Sequence, residues 1–100
     1  MSEDDKLLKA RSDGSRALTI LNDEMIQEAF AALKQSYTEK LFNTTIDQVG
    51  GREKLYMAVR VVDEVARHLQ SIADNGKIAD AELNRLIREA EAKQSWQTIR

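Results

Sequence analysis

The sequence contains no cysteine and no proline, only four glycines, and only 5% aromatic residues. Without cysteine the chain cannot form a disulfide, a thiol nucleophile or a cysteine-ligated zinc site. β-Sheet proteins need turn residues and are rich in aromatic and β-branched side chains, so this composition argues against strands. With 100 residues, 42% of them hydrophobic, the chain is long enough for one domain. We therefore expect a single all-α domain.

The sequence also has no large excess of charge of either sign and no long apolar run. Fifteen Lys and Arg against seventeen Asp and Glu give a formal net charge of −2, too balanced to attract the whole molecule to nucleic acid or an anionic membrane. No stretch reaches the roughly 18 apolar residues of a membrane helix. The acidic residues 1–6 lack the apolar run of a signal peptide. These patterns predict a cytoplasmic protein with no membrane partner.

The distribution of apolar residues predicts a flexible N-terminal arm, a helical domain and a tail. Residues 1–20 mix charged and small polar side chains, and Leu7 and Leu8 are the only large apolar residues before Leu18. Such a segment buries too little apolar area to offset about 1–2 kcal/mol of backbone entropy per residue. We therefore predict a disordered arm over 1–20, a helical domain over 21–93 and a polar tail over 94–100.

The first predicted helix covers residues 23–42. Asn22 is the expected N-cap, and Asp23 and Glu24 place negative charge in the first turn. The following apolar residues recur at intervals of three and four, which is typical of one helical face; they are Ile26, Phe30, Leu33, Tyr37 and Leu41. Residues 43–45 are expected to end this helix, and residues 46–51 are interpreted as a connector that ends in two glycines, without the flanking residues of a phosphate-binding loop.

The second predicted helix covers residues 52–75 and carries a heptad-like apolar seam. Asn75 and Gly76 form a helix stop, because glycine readily adopts the left-handed cap conformation. Asp80 is the expected N-cap of a shorter third helix over 80–93. Two long helices joined by a modest loop should pack antiparallel as a helical hairpin, with the third helix beside them.

The apolar face of the second helix is wider than one neighbouring helix covers. Large exposed apolar patches usually mark interfaces, so we expect self-association or docking on a larger assembly. The residues expected to carry this contact are Leu55, Val59, Val62, Leu69 and Ile72. Trp96 is either core beneath the hairpin or an anchor in a partner's pocket, since Trp is enriched at interface hot spots.

No arrangement of residues points to an enzyme, a metal site or a cofactor. His68 is the single histidine, and with Glu64 and Ser71 nearby it is interpreted as part of a polar helix surface. Metal ligation would need further converging ligands, and the required spacing is missing. The acidic pairs lie in the predicted arm or at a helix start. We therefore predict a non-enzymatic protein.

Nucleic-acid binding is an alternative that the sequence does not favour. Basic residues are available on the second and third helices, but acidic neighbours dilute each cluster, and phosphate binding depends on clustered positive charge. The helices are also too long for a helix-turn-helix. The residues that would contact DNA in this alternative are Arg60, Arg67, Arg85 and Arg88.

Two sequence blocks resemble small helical proteins encoded in the head-assembly and DNA-packaging gene clusters of tailed phages and prophages. They are residues 21–30 with Tyr37 following, and residues 51–56 continuing to His68, Leu69 and the Asn75-Gly76-Lys77 segment. The resemblance spans about residues 21–83. It implies a non-enzymatic role in a virion or its assembly, in the cytoplasm of a bacterial host or in the particle. Two alternatives stay open: a DNA-packaging oligomer similar to a terminase small subunit, and a regulator that binds and inhibits a host protein.

Overall fold

The computed structural model describes residues 2–98, with side chains for residues 2–95, and consists of three α-helices. They are α1 (Glu3–Leu21), α2 (Glu24–Phe42) and α3 (Val49–Thr98). No strand occurs in this described part of the chain, which confirms the all-α prediction. The predicted tail is helical as far as Thr98, and the Trp96 side chain lies outside the described residues.

Helix α2 agrees with the first predicted helix to within one residue, but its N-cap differs. The Asp23 carboxylate accepts hydrogen bonds from the backbone N–H groups of Met25 at 2.9 Å and Ile26 at 3.1 Å. The predicted cap, Asn22, instead donates its backbone N–H to the carbonyl of Leu18 and so closes α1. The cap therefore falls at Asp23 because the preceding residues are themselves helical.

The prediction of a disordered arm over residues 1–20 is wrong, because Glu3–Leu21 form the helix α1. The Ser2 hydroxyl accepts a hydrogen bond from the backbone N–H of Asp5 at 3.1 Å, and the first turn is acidic, which suits a helix N-terminus. Gly14 and Ala17 are buried, and Ala10 is half-buried. The helix is held by close contact of small residues, which an analysis based on large apolar side chains does not detect.

The predicted break between a second and a third helix is also wrong, because residues 52–93 lie within the single helix α3. Gly76 has the negative φ of an ordinary helical residue, and Asp80 lies in the helix interior. At its other end α3 begins at Val49, so the connector from α2 is shorter than predicted and Gly50 and Gly51 belong to the first turn.

The chain divides into two compact units, the first made of Met1–Ala17 and Ser71–Arg100. Here α1 packs against α3 with Gly14 on Gly76: a Cβ atom added to Gly14 would lie only 2.5 Å from the Gly76 Cα atom. Arg11 Nη1 lies 3.7 Å from Asp80 Oδ1. Arg11 precedes Gly14 on α1, whereas its partner Asp80 follows Gly76 on α3, so the two segments run antiparallel. The buried apolar residues flank this contact and are Ala17, Ala73, Ala79 and Leu83.

The second unit, Leu18–Gln70, has a different character, because none of its residues is buried. Lys34 on α2 pairs with Asp63 on α3 at 2.8 Å. The large apolar residues predicted to form the α2 stripe are half-buried, apart from Leu33, which is exposed. This unit therefore has no closed hydrophobic core of its own.

Candidate interaction surface

Four of the five residues predicted on the broad helix face lie together in the second unit. Leu55, Val59, Val62 and Leu69 recur at intervals of three, four or seven along α3, and all are half-buried. Spacing of this kind places them on one side of the helix. The fifth, Ile72, belongs to the first unit, where it lines a small cleft with Ala10, Asp13 and Asn75.

A second set of apolar side chains on α3 is more exposed than this seam. Met57, Val61 and Val65 are 64%, 56% and 46% exposed. They follow one another at intervals of four, so they lie along one side of the helix, and we call them the apolar row. None of the three is among the residues that the sequence pattern assigns to the contact. Their regular spacing is the signal that could have identified them.

A shallow cleft lies beside the apolar row and is lined by Tyr56, Met57, Arg60, Val61 and Glu64. The Arg60 guanidinium carbon lies 6.0 Å from the centre of the Tyr56 ring, within the range of a cation–π contact. The volume is about 220 Å³, below the roughly 300–1,000 Å³ of ordinary small-molecule pockets. The cleft is therefore smaller than an ordinary small-molecule pocket.

The apolar row carries opposite charges along one edge. Arg60 and Glu64 are four residues apart and both are exposed, so they project side by side next to Val61. The Lys34–Asp63 pair is formed by residues outside this edge. The surface therefore combines the apolar row with one positive and one negative side chain, which follow one another along its edge.

The four arginines of the DNA-binding alternative are divided between the two units. Arg60 and Arg67 belong to the second unit, whereas Arg85 and Arg88 belong to the first. Arg85 donates two hydrogen bonds to Glu82, at 2.6 and 3.1 Å, and a third to Glu89. Two carboxylates therefore surround this one guanidinium, and a phosphate would have to compete with them.

The electrostatics around this network follow from its hydrogen bonds. The hydrogen bond from Arg85 lowers the pKa of Glu82, and the same bond raises the pKa of Arg85. On α1, the hydrogen bond from Lys9 at 2.6 Å lowers the pKa of Asp13. These shifts favour the charged forms of Asp13, Glu82 and Arg85.

The single histidine lies on α3 one turn after Glu64. His68 is exposed on α3. Within the described residues no three His, Cys, Asp or Glu side chains converge as metal ligands, and no helix is long and apolar enough to cross a membrane. No family model, curated protein or solved structure matches the chain.

Proposed function

We propose that this chain is a non-enzymatic assembly protein that self-associates through the apolar row of α3. The observation that carries the proposal is that Leu18–Gln70 contains no buried residue although it is rich in large apolar side chains. Side chains of this kind each gain about 1.5–3 kcal/mol on full burial. A second protein surface would supply the burial that the unit lacks.

The arrangement of α2 and α3 in this proposal is an antiparallel hairpin. The connector of residues 43–48 is short, and helices joined in this way pack as neighbours. The Lys34–Asp63 ion pair supports this register and marks one edge of the hairpin. Two helices cover each other on one side only, which explains why the seam residues are half-buried and the apolar row is exposed.

The partner that best fits the apolar row is a second copy of this chain. If two α3 helices cross antiparallel about a two-fold axis level with Val62, Arg60 of each copy lies opposite Glu64 of the other. The same axis places Met57, Val61 and Val65 of one copy at levels between those of the same three residues in the other copy. Interdigitating side chains require such an offset. One symmetry operation therefore satisfies both the charges and the packing, and this self-complementarity favours a homodimer contact over an unrelated partner.

The biological setting of this contact rests on the resemblance of residues 21–83 to phage head-assembly and packaging proteins. A small helical protein that joins copies of itself suits a virion or assembly role, in the particle or in the bacterial cytoplasm. The DNA-packaging alternative receives less support, because Arg85 is held by two carboxylates and Arg60 lies over Tyr56. In the alternative in which this chain inhibits a host protein, the host protein would bind the apolar row in place of a second copy of the chain.

A charge placed in the apolar row tests the proposal. Val61→Asp should weaken self-association by at least about 100-fold, because a two-fold contact buries two unpaired carboxylates. The matched control is Ile87→Asp, since Ile87 is exposed to a similar extent on the same helix but lies in the other unit. Size-exclusion chromatography with light scattering measures the mass of both variants over a wide concentration range. A wild-type chain that stays monomeric throughout would contradict the proposal.

Charge reversal tests the two-fold arrangement itself. Arg60→Glu and Glu64→Arg should each weaken the dimer, because like charges then face each other across the axis. The double variant should recover most of the lost affinity, since it restores opposite charges in the swapped order. If the double variant is weaker than both single variants, the two side chains do not face each other.

Salt dependence separates this function from DNA packaging. Counterion release makes DNA affinity fall steeply with ionic strength, whereas an apolar contact depends on it weakly. We expect no retardation of duplex DNA at low salt and a dimer that persists as salt is raised. Duplex binding that disappears with salt and with Arg88→Ala would support the packaging alternative instead.

A further inference from the structure

Two sequence signals inside α3 favour a break in the helix that the structure does not contain. Asn75-Gly76 is a strong helix C-terminus, because glycine accepts the left-handed cap conformation at little cost. Asp80 is a strong N-cap, so residues 76–79 would form the loop between two helices. Instead α3 is continuous, and no residue of the described chain, Gly76 included, has a positive φ. A contact from elsewhere in the chain must favour the continuous form.

Helix α1 contacts both of these signals. Gly14 packs directly on Gly76: a Cβ atom added to Gly14 would lie 2.5 Å from Gly76 Cα and 3.0 Å from the Ile72 carbonyl oxygen. One turn earlier on α1, Arg11 lies 3.7 Å from the carboxylate of Asp80. The two α1 residues are three positions apart, so a single face of α1 reaches both ends of the 76–79 segment.

Each contact removes the advantage of the broken form. A glycine within a helix is unfavourable partly because its backbone is exposed to water, but Gly76 is buried beneath α1. To act as an N-cap, Asp80 must accept hydrogen bonds from backbone N–H groups of its own helix. Paired with Arg11, its carboxylate has a favourable partner in the continuous helix. Together the contacts compensate for the low helix propensity of the segment.

We infer that α1 acts as a splint on α3, and that α3 has two states. With α1 docked, residues 76–79 are helical and α3 is continuous. With α1 released, Gly76 takes the left-handed cap conformation, Asp80 becomes an N-cap, and α3 divides into two helices at this point. This inference does not depend on self-association, because all the residues that carry it belong to the first unit.

The test is a bulky substitution at Gly14 in the full-length chain. Gly14→Leu should displace α1, and the ¹³Cα shifts of residues 76–79 should then move toward random-coil values while those of residues 82–89 stay helical. Amide hydrogen exchange at 77–80 should be about ten-fold faster than in the wild type. The matched control is Ser12→Leu, at an exposed position of α1, which should leave both measurements unchanged.

A second substitution, Gly76→Ala, should have opposite effects on residues 76–79 in the wild type and in Gly14→Leu. Gly76→Ala alone should loosen the wild-type contact, because its Cβ atom would lie 2.6 Å from Gly14 Cα. Added to Gly14→Leu, the same change should restore helical shifts and slow exchange at 77–80, because alanine favours the continuous helix. Helical shifts at 76–79 that survive in Gly14→Leu, or a loss spread evenly along α3, would overturn the inference.

A milder variant covers the case in which Gly14→Leu unfolds the whole chain. Arg11→Ala keeps the glycine contact but releases Asp80, so exchange at 77–80 should rise by about two- to three-fold, with little change at 86–90. Adding Asp80→Ala should return exchange at 77–80 toward the wild-type rate, since the N-cap signal is then removed. An Arg11→Ala chain whose exchange at 77–80 matches the wild type would overturn the inference.

Discussion

Adding a methyl group at either glycine of the α1–α3 contact should destabilise the protein, although the same change stabilises most helices. Glycine to alanine in a helix interior ordinarily gains about 0.5–1 kcal/mol. At Gly14 the new Cβ atom would lie 2.5 Å from Gly76 Cα, and reaching an ordinary 3.4 Å requires the two backbones to separate by 0.9 Å. Both atoms in this clash belong to backbones or are fixed to them, so no side-chain rotation relieves it.

The magnitude follows from these opposing effects. Overpacking of a tight contact typically costs about 1–3 kcal/mol, so Gly14→Ala and Gly76→Ala should each lower the free energy of unfolding by about 1–2 kcal/mol after the helical gain is counted. For a chain of this size that corresponds to a fall in Tm of roughly 4–16 °C. Thermal unfolding followed by far-UV circular dichroism measures the change.

The control for this experiment is another helical glycine. A Cβ atom added to Gly51, in the first turn of α3, meets nothing within 4 Å. Gly51→Ala should therefore be neutral or stabilising by up to about 1 kcal/mol. If Gly14→Ala and Gly76→Ala behave like Gly51→Ala, the two helices do not approach as closely as described and the reasoning fails.

Three further predictions concern the cap of α2, the burial of leucines and the response to pH. Asp23→Ala should cost about 0.5–2 kcal/mol of stability, whereas Asn22→Ala should cost much less, because only Asp23 accepts the two N-terminal N–H groups; chemical unfolding compares them. Leu83→Ala should cost about 2–3 kcal/mol, because Leu83 is buried, and Leu33→Ala should cost clearly less, because Leu33 is exposed; equal losses in denaturant titrations would contradict this. The lowered pKa of Glu82 means that its stabilising effect is complete above the ordinary glutamate pKa of about 4.3 and is lost as the pH falls through the lower folded value, so Glu82→Gln should flatten the fall of Tm with acidification. A Tm profile of Glu82→Gln that parallels the wild type would show that this carboxylate contributes nothing.

The sequence predicts those helices whose large apolar residues recur regularly. Ile26, Phe30 and Tyr37 follow one another at intervals of four and seven residues, one and two helical turns, and α2 agrees with the prediction apart from one residue at its start. Leu55 and Val59 begin the comparable seam on α3. Such patterns are reliable because the periodicity of a helix and the burial of one of its faces require the same spacing.

The helix α1 and the continuity of α3 could not be predicted in the same way. Their contact is made by Gly14 and Gly76, which contribute backbone instead of apolar side chains. The local preferences of Asn75-Gly76 and Asp80 are real, and packing against α1 outweighs them. Small residues at intervals of three or four in both segments, Ala10–Gly14–Ala17 and Ala73–Gly76–Ala79, are the signal that links the two segments.

The sequence pattern and the exposure of side chains in the structure point to different residues of the same part of α3 for the interaction surface that we propose. The seam residues Leu55, Val59 and Val62 are half-buried, whereas Met57 and Val61 are more exposed. The width of the apolar face in the sequence indicates that one neighbouring helix leaves part of it uncovered. The sequence does not assign which edge that helix covers. That assignment depends on the position of α2, which the Lys34–Asp63 pair indicates only in the folded chain.

Disulfide cross-linking at a single introduced cysteine tests the central claim, self-association through the apolar row, most directly. Because the chain has no cysteine, Val61→Cys creates the only thiol. The proposed two-fold axis level with Val62 should bring its Cα atom to within roughly 4–7 Å of the one in the second copy, as a disulfide requires. Mild oxidation should convert this variant to a covalent dimer, while Ile87→Cys, which keeps the apolar row, should form no cross-link between copies. The claim would be contradicted if both variants cross-linked equally, or if Val61→Cys did not cross-link at all.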